Sequence, residues 1–381
     1  MRKLNLLFLV LLLFSSCTPK KDLTEILKGE IIVKTYPEKA HLDLLNQKNI
    51  LNLLLFLHNR VSKEEILKEL KISEEDYNQS INSLFANGII KTNEKKEFLP
   101  ACMVVSKEDE KDIRNFVLTF ATDISEIIIE KYPLAQQKYS KLRSFLNISF
   151  DEASLFILYN VMLDKWQLDN IVERFLRSDL PNRGGNRSYI IINQKDNDTS
   201  MQNIYFLENR CADIDGYKLC SFGNKNHKNN FVDIDQNQLI DDFKMNEVED
   251  EKIFKKKLID DLIKFSGGNK GTINPNLTLA LNKYGLLRDN RLFLPVIDKS
   301  DNEILNGIAK LAGDDLIRYF DSKRPVFVKK YLSTTYKEEI GFREWSFWVY
   351  KFITEEATKL LINKGYIKSS DRELFYYLEK R

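Results

Sequence analysis

The chain has 381 residues, with 58 basic side chains against 56 acidic ones and a formal charge of +2. So even a balance excludes a protein drawn to nucleic acid by bulk charge alone. An apolar content of 43%, with 11% aromatic residues, excludes a disordered chain, and the length is sufficient for two domains.

The chain opens with Arg2 and Lys3, an apolar run over residues 4–14 interrupted only by Asn5, and then Ser15, Ser16 and Cys17. The run is far shorter than the ~20 residues of a membrane-spanning helix and has the layout of a secretory signal. Small residues leading to a cysteine at this place resemble the lipobox of bacterial lipoproteins. That resemblance implies cleavage after residue 16 and an acyl chain such as palmitate on Cys17. With Thr18 following in place of Asp, it also implies passage to the outer membrane. Loss of 1–16 removes Arg2 and Lys3 and leaves basic and acidic side chains equal in number. The mixed, charged segment 17–46 reads as a lipidated tether.

The first folded unit is predicted over 47–182. Ser62 with Glu65, and Ser73 with Asp76, have capping-box spacing, and Val61 and Ile72 stand where a hydrophobic staple needs them. Tyr77, Ile81, Leu84 and Phe85 mark the apolar face of the second of these helices, and Gly88 is placed as its left-handed stop. The runs IIKT and EFLP then flank a polar loop as a hairpin. Helix, helix, helix, hairpin resembles the winged-helix order. The residues that would enter a DNA groove do not suit it: Ser62–Glu97 carries six basic and eight acidic side chains, and no Lys or Arg lies between Ser73 and Ile90. Phosphate neutralisation carries most DNA affinity, so nucleic acid is not expected as a partner. Helical patterns follow over 107–131, 134–147 and 150–177.

Residues 183–247 form a predicted β-rich insert crowded with Asn and Asp, with strands at 188–192, 203–208 and 217–222. Asp215-Gly216 signals a two-residue hairpin turn. Counting outward from it sets Cys211 opposite Cys220 as a non-hydrogen-bonded pair, with Cα atoms ~4.5 Å apart. That spacing suits a disulfide, and an exported protein meets conditions in which one persists. Cys102 is left unpaired.

Residues 248–381 are predicted to repeat the first unit. The phrase NGIIKTNEKKEFLP returns as YGLLRDNRLFLP. Pro133 and Pro325, Tyr139 and Tyr331, Ile148 and Ile340, Phe150 and Phe342, Glu152 and Glu344, and Ser154 and Ser346 match at one constant interval. A period this long indicates domain duplication, not a solenoid. Helical patterns recur over 300–321, 325–338 and 342–364. In the last, Trp345, Trp348 and Phe352 share a face and read as core. The runs GYIKSS and ELFYYLEK are predicted to close the chain as a hairpin.

No catalytic, cofactor or metal site is predicted. His41, His58 and His227 are the only histidines, none with a second ligand at zinc spacing; His58 reads as a helix-end residue. Asp233, Asp235 and Asn237 match the start of a calcium loop, but Gln238 and Lys244 replace the glycine and the bidentate glutamate. A loop capping the following helix accounts for them.

The fold class is therefore mainly α with small β hairpins, an α+β chain. It is read as tandem winged-helix and helical-bundle units with a β-rich segment between them. The expected function is that of a membrane-anchored envelope lipoprotein, a non-catalytic module that binds or assembles with a protein or extracellular ligand. The alternative is a cytoplasmic winged-helix regulator that binds DNA.

Overall fold

The computed structural model describes residues 23–37, 43–171, 180–195, 207–214, 216–224, 230–243, 251–266, 275–288, 291–368 and 374–380. These residues are mainly helical, with small separate sheets. They divide into two compact units: Met1–Glu110, Pro181–Thr199 and Glu338–Ile340 supply the first; Lys111–Leu180, Ser200–Lys337 and Gly341–Arg381 supply the second.

In the first unit, strand β1 (Ile31–Tyr36) precedes helices α1 (Ile50–His58), α2 (Lys63–Leu70) and α3 (Glu74–Ala86) and the hairpin β2 (Ile90–Thr92) and β3 (Phe98–Pro100). Both predicted capping boxes are present: Glu65 N–H donates to Ser62 Oγ at 3.3 Å and Asp76 N–H to Ser73 Oγ at 3.0 Å, with each acid reaching back to its cap. The apolar faces of the helices meet in a core of Leu53, Phe56, Ile66, Tyr77, Ile81 and Leu84, with Val61 and Ile72 packed against it. α3 stops at Gly88, whose φ is +65°. Gly88 N–H bonds to Phe85 O at 3.0 Å and Ile89 N–H to Leu84 O at 2.9 Å, the paired closure of a Schellman motif. Strand β4 (Met103–Val105) leads into helix α4 (Lys107–Tyr139). β4 lies parallel to β5 (Tyr189–Gln194), whose other edge takes β1 antiparallel, Ile31 opposite Gln194 and Tyr36 opposite Tyr189.

In the second unit, α4 runs on past Phe116 and Pro133. A π-helical turn (Phe156–Val161) and helix α5 (Lys165–Ile171) follow. Strands β6 (Leu207–Ile214) and β7 (Tyr217–Asn224) pair around Gly216, φ +80°. Then come helices α6 (Gln236–Phe243), α7 (Glu251–Ser266) and α8 (Pro275–Lys283), the short hairpin β8 (Leu287–Arg288) and β9 (Arg291–Leu292), and strand β10 (Val296–Ile297). Helices α9 (Lys299–Leu332) and α10 (Phe342–Asn363) and strand β11 (Phe375–Lys380) end the chain. α4 and α9 pack antiparallel. Phe116 and Phe120 meet Phe327 edge-on, with ring centroids 5.6 and 4.9 Å apart. Further along, Tyr319 OH donates to Asp123 at 2.7 Å and Lys131 pairs with Asp315 at 3.0 Å. α10 is sheathed on almost every side, and Trp345, Phe347, Trp348, Tyr350 and Phe352 are all buried as core. At the π turn, Asp164 N–H reaches back to Tyr159 O at 2.8 Å, and the buried Asn160 and Asn209 exchange two amide hydrogen bonds of 2.9 and 2.7 Å.

Four features differ from the sequence reading. The segment 17–46, read as a tether, contains β1, held by its ladder to β5. α4 and α9 pass through Pro133 and Pro325 without a break; the apolar contacts on both sides hold the helix despite the lost donor. The pattern over 150–177 is not one α-helix, because the π turn interrupts it. Finally, 365–380 does not close as a hairpin: β11 joins the insert, antiparallel to β7 with Phe375 opposite Phe222 and parallel to β10 with Val296 opposite Leu378.

Gly285 repeats the Gly88 stop at φ +73°, but the space around it is open, whereas a Cβ on Gly88 would stand 3.0 Å from Asn182 O. Gly285→Ala should cost roughly 1 kcal/mol from the left-handed backbone alone, and Gly88→Ala roughly 2 kcal/mol. Urea unfolding compares the two, and equal costs would contradict a contribution from the Asn182 contact.

Candidate functional site

Two features of the described residues go beyond helix packing: a buried histidine held by two acids, and the outward face of α3. His58 is the last residue of α1, a helix so apolar that all but two of its residues are buried. The chain then turns through Arg60, φ +57°, with Val61 N–H closing on Phe56 O at 3.0 Å and Arg60 N–H on Leu57 O at 3.1 Å. Glycine usually fills this left-handed position, and a residue with a Cβ costs roughly 1–2 kcal/mol there. The side chain of Arg60 has a use: its guanidinium pairs with Glu338 at 3.4 Å and Glu339 at 3.5 Å.

His58 Nδ1 lies 2.8 Å from Glu339 Oε2, and its Nε2 lies 3.0 Å from Asp109 Oδ2. Asp109 sits in the first turn of α4. Its N–H donates to Ser106 Oγ at 3.2 Å, and Ser106 N–H returns to its carboxylate at 3.1 Å. Burial alone would lower the histidine. The charge of Glu339 and the hydrogen bonds to Asp109 and Glu339 outweigh it and raise His58 to about 9. Burial pushes the Asp109 carboxyl up, but His58 and Ser106 together hold it below its ordinary value. Glu339 is raised by burial, which His58 and Arg60 only partly offset. Burial likewise holds Lys91 below the ordinary lysine value, with Glu339 opposing and Arg183 and Arg60 adding to the shift.

The centre is thus an imidazolium clamped between two carboxylates. With both ring nitrogens donating, it presents no lone pair to a substrate or a metal ion. Its chemistry is that of a charge-assisted fastener joining α1, the start of α4 and residue 339 within the first unit. Sequence reading placed His58 at a helix end, where it is, but missed the clamp. Ser106 and Asp109 have capping-box spacing and could have been noticed; nothing in the sequence points from His58 to Glu339.

The outward face of α3 carries Glu75, Asn78, Gln79, Asn82 and Phe85, all exposed; Phe85, read from the sequence as part of the apolar face, is 52% exposed, because Leu84 beside it takes the inward position. Glu74 pairs with Lys63 at 2.5 Å. The loop between β2 and β3 is a built turn: Lys95 N–H and Glu97 N–H donate to Asn93 Oδ1 at 3.0 and 2.9 Å. It places Glu94, Lys95, Lys96 and Glu97 in solvent with mixed charge.

Of the residues singled out in the sequence, Cys17, His41 and His227 lie outside the described residues. Cys211 and Cys220 stand directly opposite in β6 and β7, with Cα atoms 4.1 Å apart and sulfurs at bonding distance, 2.09 Å; Cys102 is a buried thiol outside that pair. Asp233 pairs with Arg210. Asp235 Oδ1 accepts Gln238 N–H at 2.8 Å, and Gln238 Oε1 accepts Asp235 N–H at 3.1 Å. These two residues therefore cap α6, as the alternative to the calcium reading supposed. Among the described residues there is no group of three side chains placed to hold a metal ion, and no helix long and apolar enough to cross a membrane. No family model, no curated protein and no solved structure matches the chain.

Because the folded value of His58 lies above 6.5, its stabilising contribution is full below pH 6.5 and is lost as pH rises through about 9. Wild-type stability should fall over that window by on the order of 3 kcal/mol. His58→Gln should flatten the dependence, and a variant that kept the wild-type slope would refute it. At pH 7, His58→Ala should cost about 3–5 kcal/mol by leaving two buried carboxylates face to face, as read by urea unfolding. Thiol labelling of unreduced, unfolded protein should modify Cys102 but neither Cys211 nor Cys220; modification of all three would exclude the bond.

Proposed function

We propose that this protein is an envelope lipoprotein, held to a membrane by an acyl chain on Cys17 and acting through winged-helix repeats as a non-catalytic protein- or ligand-binding module. The observation that carries the proposal is the Cys211–Cys220 pair at bonding distance, in a chain whose apolar opening run leads to a cysteine. A structural disulfide persists in oxidising compartments and is rare in the cytosol.

Several local features support duplication. Helices lead into a two-stranded hairpin in both repeats: α1, α2 and α3 in the first, α7 and α8 in the second, where α6 just before them belongs to the stretch read as the insert. α3 and α8 end on Gly88 and Gly285 with the same pair of closing hydrogen bonds. A short strand after each hairpin, β4 or β10, adds parallel to a neighbouring strand. The long helices α4 and α9 start at equivalent positions, Lys107 and Lys299, each with a proline near its end. In the first turn of each, Asp109 and Asp301 bond back to Ser106 and Asp298. A winged helix serves protein contact as readily as DNA, and the acidic, cation-free face of α3 favours the former.

Metabolic labelling with a fatty-acid probe should mark the wild-type full chain in the membrane fraction and leave Cys17→Ala unlabelled. Label retained by the variant, or wild-type protein found in the cytosol, would refute the placement. In a mobility-shift assay at low salt the protein should leave duplex DNA unshifted, and a salt-sensitive shift would favour the regulator.

A further inference from the structure

We propose that the C-terminal turns of α9 form a face that docks on an anionic phospholipid surface, an inference that rests on the reading of this protein as one held at a membrane. Lys329 stands at the centre of the face. Ser322, Pro325, Val326, Leu332 and Ser333 recur around it at helical spacing and so share its side of the helix, and all are exposed. Val326 and Leu332 are 47% and 54% exposed. α4 packs against this end of α9 through Phe116 and Phe327, and its own exposed residues there, Asn115, Leu118, Thr119 and Thr122, are uncharged. Leu118 adds a third half-exposed aliphatic side chain.

The charge around these aliphatic side chains has one sign. Lys323, Arg324, Lys329, Lys330 and Lys337 follow Asp321, and no acid comes before Glu338. The Tyr331 ring meets Phe342 with centroids 5.5 Å apart, which brings the first turn of α10 and its exposed Arg343 to the end of α9. Lys323 and Lys330 lie over the rings of Tyr319 and Phe116 at 5.3 and 5.7 Å, and Lys337 donates to Leu332 O at 3.2 Å. Those contacts leave the charge of each lysine unneutralised. Lys329 and Arg343 stand in solvent, and among the described residues none of these five cations joins an ion pair. Cations around solvated aliphatic side chains suit a surface that offers phosphate and acyl chain together. Lysine stems lie along the apolar boundary while their ammonium groups reach the headgroups, and anionic lipid attracts each of them. Nucleic acid supplies the phosphate without the acyl boundary and would leave Val326 and Leu332 in water.

Full-length protein reconstituted in vesicles that contain a photoactivatable acyl chain tests this, with lipid-modified peptides mapped after illumination. In vesicles of phosphatidylcholine and phosphatidylglycerol, the peptides that contain Val326 and Leu332 should carry label. The label should fall roughly tenfold in phosphatidylcholine alone, and again at about 0.5 M salt, where exposed charges are screened. Lys329→Glu combined with Arg343→Glu should lower it by a similar factor, on the order of tenfold, whereas Lys329→Arg should keep it. An unchanged urea midpoint for the doubly reversed chain separates lost docking from lost folding. Peptides of this face left unlabelled, as a face serving an acidic protein would be, label that ignores lipid charge and salt, or reversals without effect would each overturn the proposal. Acyl mass on Cys17 is read from the N-terminal peptide of the same digest. Failure of the anchor and failure of the face therefore show up on different peptides.

Discussion

The constraint that organises this structure is the need of each long helix to satisfy the N–H groups of its first turn without intrahelical partners. α4 and α9 meet it with the same device, a cap at Ser106 or Asp298 and an acid three residues on. The carboxylate of each acid has acceptor capacity beyond what the cap uses, and that capacity holds the surrounding chain in place. Asp109 takes the imidazolium of His58. Asp301 takes the backbone N–H groups of Arg143 and Ser144 at 3.0 and 2.8 Å. The shared position sets where long-range contacts form, and the residue it meets decides whether the contact is neutral or charged.

The charged version has the larger consequences. A buried imidazolium between two carboxylates is stable only while every partner is present, since removing one leaves an uncompensated charge out of water. That accounts for a backbone cost at Arg60, which a glycine would avoid. The guanidinium placed there by the left-handed turn is a second cation for Glu339. It also explains why a histidine at the end of an apolar helix is buried instead of solvated. Glu339 was beyond sequence reading because charge complementarity across 281 residues leaves no periodic trace.

What could be read from the residues was chemistry that acts over a few positions. The capping boxes at Ser62 and Ser73, the stop at Gly88 and the pairing of Cys211 with Cys220 each follow from two or three neighbours, and each is present. What could not be read was decided by tertiary contact. α4 runs through Pro133 because contacts hold it on both sides, Phe120 and Lys131 against α9 before it and Tyr139 against Phe145 and Phe150 after it. β11 leaves its neighbour in sequence because a ladder to β7 and β10 satisfies more backbone groups than a short terminal hairpin would. The π turn at Phe156–Val161 has no periodic signature distinct from a helix. Of the candidate site, the acidic character of the α3 face was legible; the clamp at His58 was not.

The buried clamp and the outward face of α3 belong to the same unit: the clamp fixes the chain inside it, and the face lies in solvent. The function proposed for the protein presumes that the chain leaves the cytosol and carries lipid. Mass spectrometry of the N-terminal peptide from the purified cellular protein tests that presumption most directly. The account predicts a peptide that begins at Cys17 and bears acyl mass on it. A peptide that begins at Met1, or one that spans Cys17 unmodified, would contradict it.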